Sequence, residues 1–160
     1  MIKAEIHRMF VEKLELELES IVAAAKATFA TATDEAHHAE SKYDTFSLES
    51  SYLARGQAKR VAEVSDALER VQMLPLKEFG ESDPILLGAL IRLEDDSGEK
   101  LMLFFGPAAG GETVAAGGEE VMMITSASPM GQALINKRVG DSFELAIGYK
   151  TRRLTVVSVE

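Results

Sequence analysis

The 160-residue sequence contains no cysteine and no tryptophan, and aromatic residues make up only 6% of it. The lack of cysteine excludes a disulfide scaffold, a thiolate metal site and a cysteine nucleophile. The sequence also has no apolar run long enough for a signal peptide or a membrane span. We therefore expect a cytoplasmic protein that does not bind a membrane.

Positive charge is scarce as well, because 17 Lys and Arg stand against 26 Asp and Glu and the net charge is −9. Binding to a DNA or RNA backbone requires a basic face. We therefore expect no sequence-specific DNA binding. A protein partner with a basic surface or channel is still compatible with this charge.

Glycine and proline are missing from most of the first half. The first glycine is Gly56 and the first proline is Pro75, and eleven of the twelve glycines follow Pro75. Because these two residue types interrupt regular structure, such a shift in composition is typical of a domain boundary. The sequence predicts two domains, 1–75 and 76–160.

The first domain has the apolar spacing of helices. Steps of three or four residues separate two sets of apolar positions: Ile6, Phe10, Leu14, Leu18, Ile21 and Ala25, and then Leu48, Tyr52, Val61, Val64, Leu68 and Val71. Two narrow stripes of this kind can pack against each other as an antiparallel coiled-coil hairpin. A pair of helices within an ordinary bundle is the alternative.

The second domain reads as short strands separated by turns. Five runs are strand candidates: GALIRLED, KLMLFF, EVMMIT, DSFELAI and RRLTVVSV. DDSG, residues 95–98, predicts a hairpin turn, and the glycine-rich GPAAGGETVAAGGEE predicts a loop or an irregular connection. Ser128 followed by Pro129 predicts the start of a short helix over 129–136. The chain therefore belongs to the α+β class, with a small, mostly antiparallel sheet packed by one helix.

Negative charge is concentrated at the bend between the two predicted helices. Residues 31–50 hold five carboxylates against Lys42 alone, which gives −4: Asp34, Glu35, Glu40, Asp44 and Glu49. One interpretation is a solvated loop with carboxylates that cap helices. The other is an acidic tip, near residues 34–50, that carries carboxylates to a distant cationic or metal-bearing site, since carboxylate oxygens suit Mg²⁺.

Two segments resemble the Gre family of bacterial transcription elongation factors (GreA/GreB-like). SASPMGQALINKRVGDSFEL, residues 126–145, is similar to the C-terminal signature of that family, with Ser128, Pro129, Lys137 and a Gly-Asp turn in the family's positions. YLARGQAKRVAEV, from Tyr52, is similar to the family's second arm helix. The order of coiled coil and sheet and the chain length agree too, so the resemblance extends over nearly the whole chain.

The resemblance implies an antiparallel coiled-coil arm followed by a C-terminal domain of the FKBP-like fold. It also implies binding to bacterial RNA polymerase at its secondary channel, with the arm tip directed at the catalytic centre. In the cleavage-stimulating members, a tip Asp and Glu help the polymerase hold its second Mg²⁺ and hydrolyse backtracked RNA. The factor itself is then no enzyme, and we expect a monomer with no intrinsic cofactor or metal, apart from Mg²⁺ shared with the polymerase.

The tip departs from the pattern of those members, which place Asp-x-x-Glu-Asn-x-Glu-Tyr before the second helix. An ungapped alignment on Tyr52 puts Thr45 and Leu48 at the Asp and Glu positions. The candidate tip carboxylates are instead Asp44 and Glu49, with Glu40 as an alternative to Glu49 beside Asp44. Residues five apart on a helix point about 140° apart, against about 60° for residues three apart. We therefore expect modulation of the polymerase rather than efficient cleavage.

Candidate partner-binding residues lie in the second domain: Ser128, Pro129, Lys137, Arg152 and Arg153. Two other functions stay open. An FKBP-like prolyl isomerase or chaperone would need an aromatic-lined pocket, for which the domain offers five aromatic residues: Phe79, Phe104, Phe105, Phe143 and Tyr149. The second open function is a non-catalytic module that binds the polymerase without acting at its active site.

Overall fold

The structure is a computed structural model that describes residues 2–36 and 44–160, except for the side chains of residues 29 and 31–51. The elements follow in the order α1 (Ile2–Ala36), α2 (Asp44–Gln72), β1 (Leu90–Asp95), β2 (Lys100–Phe105), β3 (Thr113–Ala116), β4 (Glu119–Ile124), α3 (Pro129–Leu134), β5 (Ser142–Ile147) and β6 (Lys150–Val159). The α+β class is confirmed. None of the described helices is long and apolar enough to cross a membrane.

The chain packs as two compact units. One consists of Glu12–Leu68, and the other combines Met1–Val11 with Glu69–Glu160. The first turns of α1 therefore pack with the sheet, although they lie at the opposite end of the sequence. The division into domains 1–75 and 76–160, which composition suggests, stays a prediction.

The unit of residues 12–68 is a pair of antiparallel helices. Leu14 and Val64 are buried in it, and Leu18, Ile21 and Ala25 are partly buried, as the stripe on α1 predicts. The Arg60 guanidinium lies 2.5 Å from a Glu17 carboxylate oxygen and links α2 to α1.

The inward stripe of α2 differs from the predicted one at Tyr52, which is 62% exposed. The covered positions alternate in steps of three and four, as in a coiled coil: Ala54, Gln57, Val61, Val64, Leu68 and Val71. Tyr52 lies two residues before this series and so falls on the outside of the helix. Leu48, the other predicted position on this stripe, has a side chain outside the description.

The sheet has the strand order β3-β4-β2-β1-β6-β5. Four of its five pairings are antiparallel, and β2 with β4 is parallel. The mostly antiparallel sheet expected of the second domain is confirmed. Its parallel pairing follows from β3, because β3 takes the sheet edge beside β4 and thereby reverses the direction in which the chain enters β4.

Sequence patterns did not predict β3, since its residues Thr113–Ala116 lie inside the segment interpreted as a glycine-rich loop. The strand is short and rich in alanine, which has a low strand propensity. Gly117 and Gly118, with φ of 60° and 82°, form the tight turn into β4. Pairing with β4 therefore decides its conformation, and local propensity does not.

Each face of the sheet is packed by one helix. Side chains alternate between the two faces along every strand. One face carries a hydrophobic core to which α3 contributes Leu134. The strands contribute seven buried residues to this core: Ile91, Leu93, Leu103, Phe105, Ile124, Leu154 and Val156. On the opposite face the ring of Phe104 lies 5.9 Å from that of Phe10 on α1.

The start of α1 is anchored to this unit by polar contacts as well. Lys3 is buried, its ammonium donates to the carbonyl oxygen of Lys77, and it lies 5.1 Å from the centre of the Phe79 ring. Burial lowers the pKa of Lys3, while Glu78 and Glu160 raise it. The His7 Nε2 lies 2.7 Å from the Val71 carbonyl oxygen. These contacts hold the first helical turns beside the segment that leads to the sheet.

Candidate functional site

The acidic tip lies largely outside the described residues. Glu40 falls in residues 37–43, which the structure does not describe, and the side chains of Asp44 and Glu49 are likewise outside the description. The backbone positions 44 and 49 both belong to α2, with Asp44 as its first residue. Their use as tip carboxylates stays a prediction.

Ser128 and Pro129 build the start of α3. The Ser128 hydroxyl accepts a hydrogen bond from the Gly131 N–H at 3.0 Å and donates one to the Thr125 carbonyl at 2.8 Å. Ser128 has the extended backbone of an N-cap, and Pro129 occupies the first turn, where the lack of an N–H costs nothing. The predicted helix start is confirmed, and the helix ends at Leu134, two residues before the predicted end.

Gly131 is required by the space around it. A Cβ at this position would lie 1.9 Å from the Thr125 carbonyl oxygen and 2.7 Å from its carbonyl carbon. Any side chain would therefore push α3 away from the backbone that precedes it. The glycine of the Ser-Pro-x-Gly signature thus lets the helix lie against the end of β4.

The signature continues as a turn rather than as a charged surface. Lys137 is half-buried, its N–H donates to Leu134 and its carbonyl accepts from the Ile85 N–H at 2.8 Å. Gly140 has a φ of 89°, and the Asp141 carboxylate accepts from the Arg138 N–H at 2.8 Å. These bonds connect α3 to β5, so much of the signature serves the local fold.

An apolar groove of about 640 Å³ opens between α3 and the sheet. Its floor comes from the strands: Leu101, Met122, Ile124, Leu145 and Ile147. The first residues of α3 and the loop glycines Gly110 and Gly111 form its walls. Ser128, Pro129 and Arg152 all line it, so three of the five candidate partner-binding residues share one surface, hereafter the α3 groove.

Arg152 is the charged residue among those that line the α3 groove. Its Nη2 lies 2.5 Å from Asp95 Oδ2 and 3.0 Å from Glu99 Oε2, and its Nε lies 3.0 Å from Asp95 Oδ2. The pair is well covered, since the side chains of Arg152 and Asp95 are 20% and 10% exposed. Contact with Asp95 raises the pKa of Arg152.

Asp95 is fixed by the turn that it opens. Its Oδ1 accepts from the Ser97 hydroxyl and from the Ser97 and Glu99 N–H groups, and its carbonyl accepts from Gly98. The Ser97 hydroxyl, followed by the Glu99 N–H and Arg152, holds the pKa of Asp95 well below its usual range. The carboxylate that orients Arg152 is therefore charged at neutral pH. The predicted DDSG hairpin turn is confirmed.

Two of the candidate residues lie apart from the α3 groove. Arg153 is exposed and faces away from Arg152 on β6, where it is the cross-strand partner of Glu144. Lys137 is not among the groove-lining residues. Partner contacts by either residue stay a prediction.

The aromatic residues of this unit are divided between its core and its surface. Phe104 and Phe105 are buried, Phe79 and Phe143 pack on the core, and Tyr149 is fully exposed on the β5–β6 turn. None of the described residues that line the α3 groove is aromatic. Nothing in this arrangement favours a prolyl isomerase.

Sequence reasoning missed the contribution of Asp95 and Glu99. Sequence patterns place Asp95 at the end of a strand and the start of the DDSG turn and give Glu99 no role, and the contact of Asp95 with Arg152 joins residues 57 positions apart. The sequence does contain a signal for this ion pair. Arg152 precedes Leu154 and Val156 at steps of two, which places an arginine on the inward face of the strand. A charged residue on an apolar face needs a partner of opposite charge.

The described residues include no cluster of three or more His, Asp or Glu that could hold a metal ion. The predicted tip carboxylates are not among these residues, because their side chains are outside the description. Positions 44 and 49 are five apart on α2, which turns them about 140° from each other around the helix axis.

Comparison with known proteins assigns the chain to a family. Residues 81–160 match the family described as transcription elongation factor GreA/GreB, C-terminal. The chain is 31% identical over 159 residues to the transcription inhibitor protein Gfh1 of Thermus thermophilus, covering 98% of this chain and 94% of that protein. It is 30% identical to the protein of the same name from Thermus aquaticus, with coverage of 98% and 93%.

The chain also aligns with two solved structures. The crystal structure of GreA factor homolog 1 (Gfh1) of Thermus thermophilus aligns with a TM-score of 0.42 at 29% identity, covering 94% of each chain. The GreA/GreB factor from Nitrosomonas europaea aligns with a TM-score of 0.38 at 20% identity, covering 60% of this chain and 78% of that one. On the strength of the sequence matches, the chain belongs to the GreA/GreB family of transcription elongation factors.

Proposed function

We propose that the protein binds bacterial RNA polymerase at the secondary channel, inserts the α1–α2 arm, and restrains transcription without stimulating efficient RNA cleavage. Membership of the GreA/GreB family supports binding to the polymerase. Sequence identity of about 30% to proteins named as transcription inhibitors supports restraint. The protein acts in the cytoplasm as a monomer and is not itself an enzyme.

One observation carries the non-cleaving part of the proposal. Positions 44 and 49 lie on the continuous helix α2 and are five residues apart. Two carboxylates three residues apart would be about 60° from each other around the axis, which suits one shared ion, whereas these are about 140° apart. The tip then brings negative charge to the polymerase centre without two carboxylates placed to share one metal ion.

The α3 groove is the surface that we propose for docking on the polymerase. It brings together Ser128, Pro129 and Arg152, and its floor is apolar. Protein interfaces place such an apolar centre inside a polar rim. The aromatic-free lining gives no support to the isomerase alternative.

Two measurements with purified polymerase test the proposal. Binding of the full chain to the core enzyme is measured first, and RNA shortening in stalled, backtracked complexes is measured next. We expect binding, slower elongation and no more RNA shortening than the polymerase shows alone. Robust shortening that disappears in Asp44→Ala or Glu49→Ala would overturn the non-cleaving function.

A chimaera with an uncharged loop in place of residues 34–50 separates inhibition from passive binding. We expect it to bind the polymerase and to lose the effect on elongation, because the acidic tip is absent. If the chimaera slows elongation as much as the natural chain does, the tip has no role. The protein is then an interaction module that acts outside the active site.

A further inference from the structure

The α3 groove exists because α3 is too short to cover its face of the sheet. Six residues of helix are about 9 Å long, whereas six strands spaced about 4.8 Å apart span roughly 24 Å. The strand residues beyond α3 still point apolar side chains toward the same side, including Met122, which is 39% exposed. A face of this kind is completed by an apolar partner.

Arg152 lies on this apolar face because of the strand period. It precedes Leu154 and Val156 at steps of two on β6, and both of these residues are buried in the core. Arg153, one residue further, points to the other face and is exposed. A partner that covers the α3 groove therefore also covers the Arg152 guanidinium and leaves Arg153 in water.

The guanidinium is paired before any partner arrives. Asp95 and Glu99 supply its acceptors, and the turn residues Ser97 and Glu99 hold Asp95 in place through their N–H groups. Together Arg152, Asp95 and Glu99 carry a charge of −1, so the end of the groove does not present a free positive charge. The five N–H donors of an arginine exceed the three contacts made here, which leaves donors for carbonyl oxygens of a partner.

The ion pair of Arg152 with Asp95 matters most when a partner covers the guanidinium. An unpaired guanidinium that loses water is strongly unfavourable, whereas a pair with its hydrogen bonds already made is much less so. We propose that Asp95 is a positioning residue for docking, which pairs Arg152 in advance so that an apolar segment of RNA polymerase can cover the α3 groove. This inference rests on the proposed function, since it takes the polymerase as the occupant.

The charge state of the groove supports an apolar occupant rather than an acidic one. A segment rich in carboxylates would meet a rim whose own charge is −1, and the floor would offer it no hydrogen bonds. An apolar segment fills the floor and directs backbone carbonyl oxygens at the remaining donors of Arg152. Binding of this kind depends little on salt concentration, because the positive charge of Arg152 is already compensated by the Asp95 carboxylate.

A double-mutant cycle on binding to purified core polymerase tests the inference. The full chain is compared with Asp95→Asn, Arg152→Met, the double variant and, as the matched control, Arg92→Met, which removes an arginine that pairs with Glu119 on the opposite face of the sheet. We expect Arg92→Met to bind as the natural chain does and Asp95→Asn to bind roughly tenfold or more weakly, since the covered guanidinium loses its better buried carboxylate partner. The double variant binds better than Asp95→Asn alone, because it has no guanidinium that must be covered without the Asp95 carboxylate.

Thermal unfolding of each variant without polymerase separates docking from stability. If Asp95 only stabilises the fold, the affinity calculated for the folded molecules alone equals that of the natural chain. If Asp95 positions Arg152 for docking, the folded molecules of Asp95→Asn still bind more weakly. If Asp95→Asn does not fold, the Arg152→Met background serves instead, in which adding Asp95→Asn must leave binding unchanged.

The salt dependence of binding supplies a second measurement. We expect the natural chain and Arg152→Met to show the same slope, since Arg152 does not act as a bare charge. A shallower slope in Arg152→Met would overturn the inference, as would single effects that simply multiply in the double variant. If the natural chain binds the polymerase and Asp95→Asn binds equally well, this inference is wrong and the proposed function stands. If the natural chain does not bind the polymerase at all, the proposed function is wrong as well.

Discussion

Replacing Gly131 by alanine tests the packing of α3 most directly. The added Cβ would stand 1.9 Å from the Thr125 carbonyl oxygen, and ordinary contact begins near 3.4 Å, so helix or strand end must move by about 1.5 Å. Gly131 has no left-handed backbone to preserve. The whole cost therefore comes from lack of space.

The magnitude follows from what that movement disrupts. Overfilling a packed site costs about 1–3 kcal/mol, and loss of the Ser128 cap, whose hydroxyl bonds Gly131 and Thr125, adds about 1 kcal/mol. Leu134, which is fully buried, would be displaced with the helix. We expect Gly131→Ala to lower the free energy of unfolding by about 3 kcal/mol, which corresponds to a Tm lower by roughly 10 °C.

Urea and thermal unfolding followed by circular dichroism measure this effect, with Gly56→Ala as the control. Gly56 lies within α2, and a Cβ there would meet no atom within 4 Å. Alanine is the better helix former by about 1 kcal/mol, so the control should stabilise the chain. A Gly131→Ala variant as stable as the natural chain would refute the argument that the close approach to Thr125 requires glycine.

Three further predictions concern single side chains. Gln57→Leu should raise the stability of the arm by about 1 kcal/mol in urea unfolding, because the buried Gln57 Oε1 has no hydrogen-bond partner among the described residues; equal or lower stability would contradict this. Ser128→Ala should lower stability by about 1 kcal/mol through loss of the N-cap, and Ser128→Asp should restore part of it, which unfolding curves of both variants would check. Because its hydrogen bonds lower the folded-state pKa of Asp95, its stabilising effect is complete above the unfolded-state pKa of about 3.9 and is lost as the pH falls from there through the lower folded-state pKa. The difference in unfolding free energy between the natural chain and Asp95→Asn should therefore shrink between pH 7 and pH 2, and a constant difference would contradict the assignment.

Elements with strong local signals were predictable. The α1 stripe, the DDSG turn and the Ser128 N-cap each depend on residues within a few positions of one another, so periodicity and side-chain chemistry suffice to find them. The resemblance to the GreA/GreB family likewise came from contiguous residues. The acidic charge at the bend is a property of composition and needs no coordinates.

Features that depend on distant partners were not predictable. Thr113–Ala116 forms a strand only because β4 pairs with it, and that insertion makes β2 and β4 parallel. Tyr52 fits the helical period but misses the register that α1 imposes on α2. In each case the deciding contact joins residues far apart in the chain, about which local patterns carry no information.

The sequence by itself determined the class of the protein, its helical arm, the acidic composition of residues 31–50 and the local chemistry of the signature that starts α3. Only the tertiary structure decided that α3 leaves part of the sheet uncovered and that Arg152 stands at the end of the resulting groove, already paired with Asp95. The physical reason is that burial and ion pairing depend on which surfaces meet. Sheet topology brings Asp95 and Arg152 together across 57 residues, and no spacing in the chain encodes that contact.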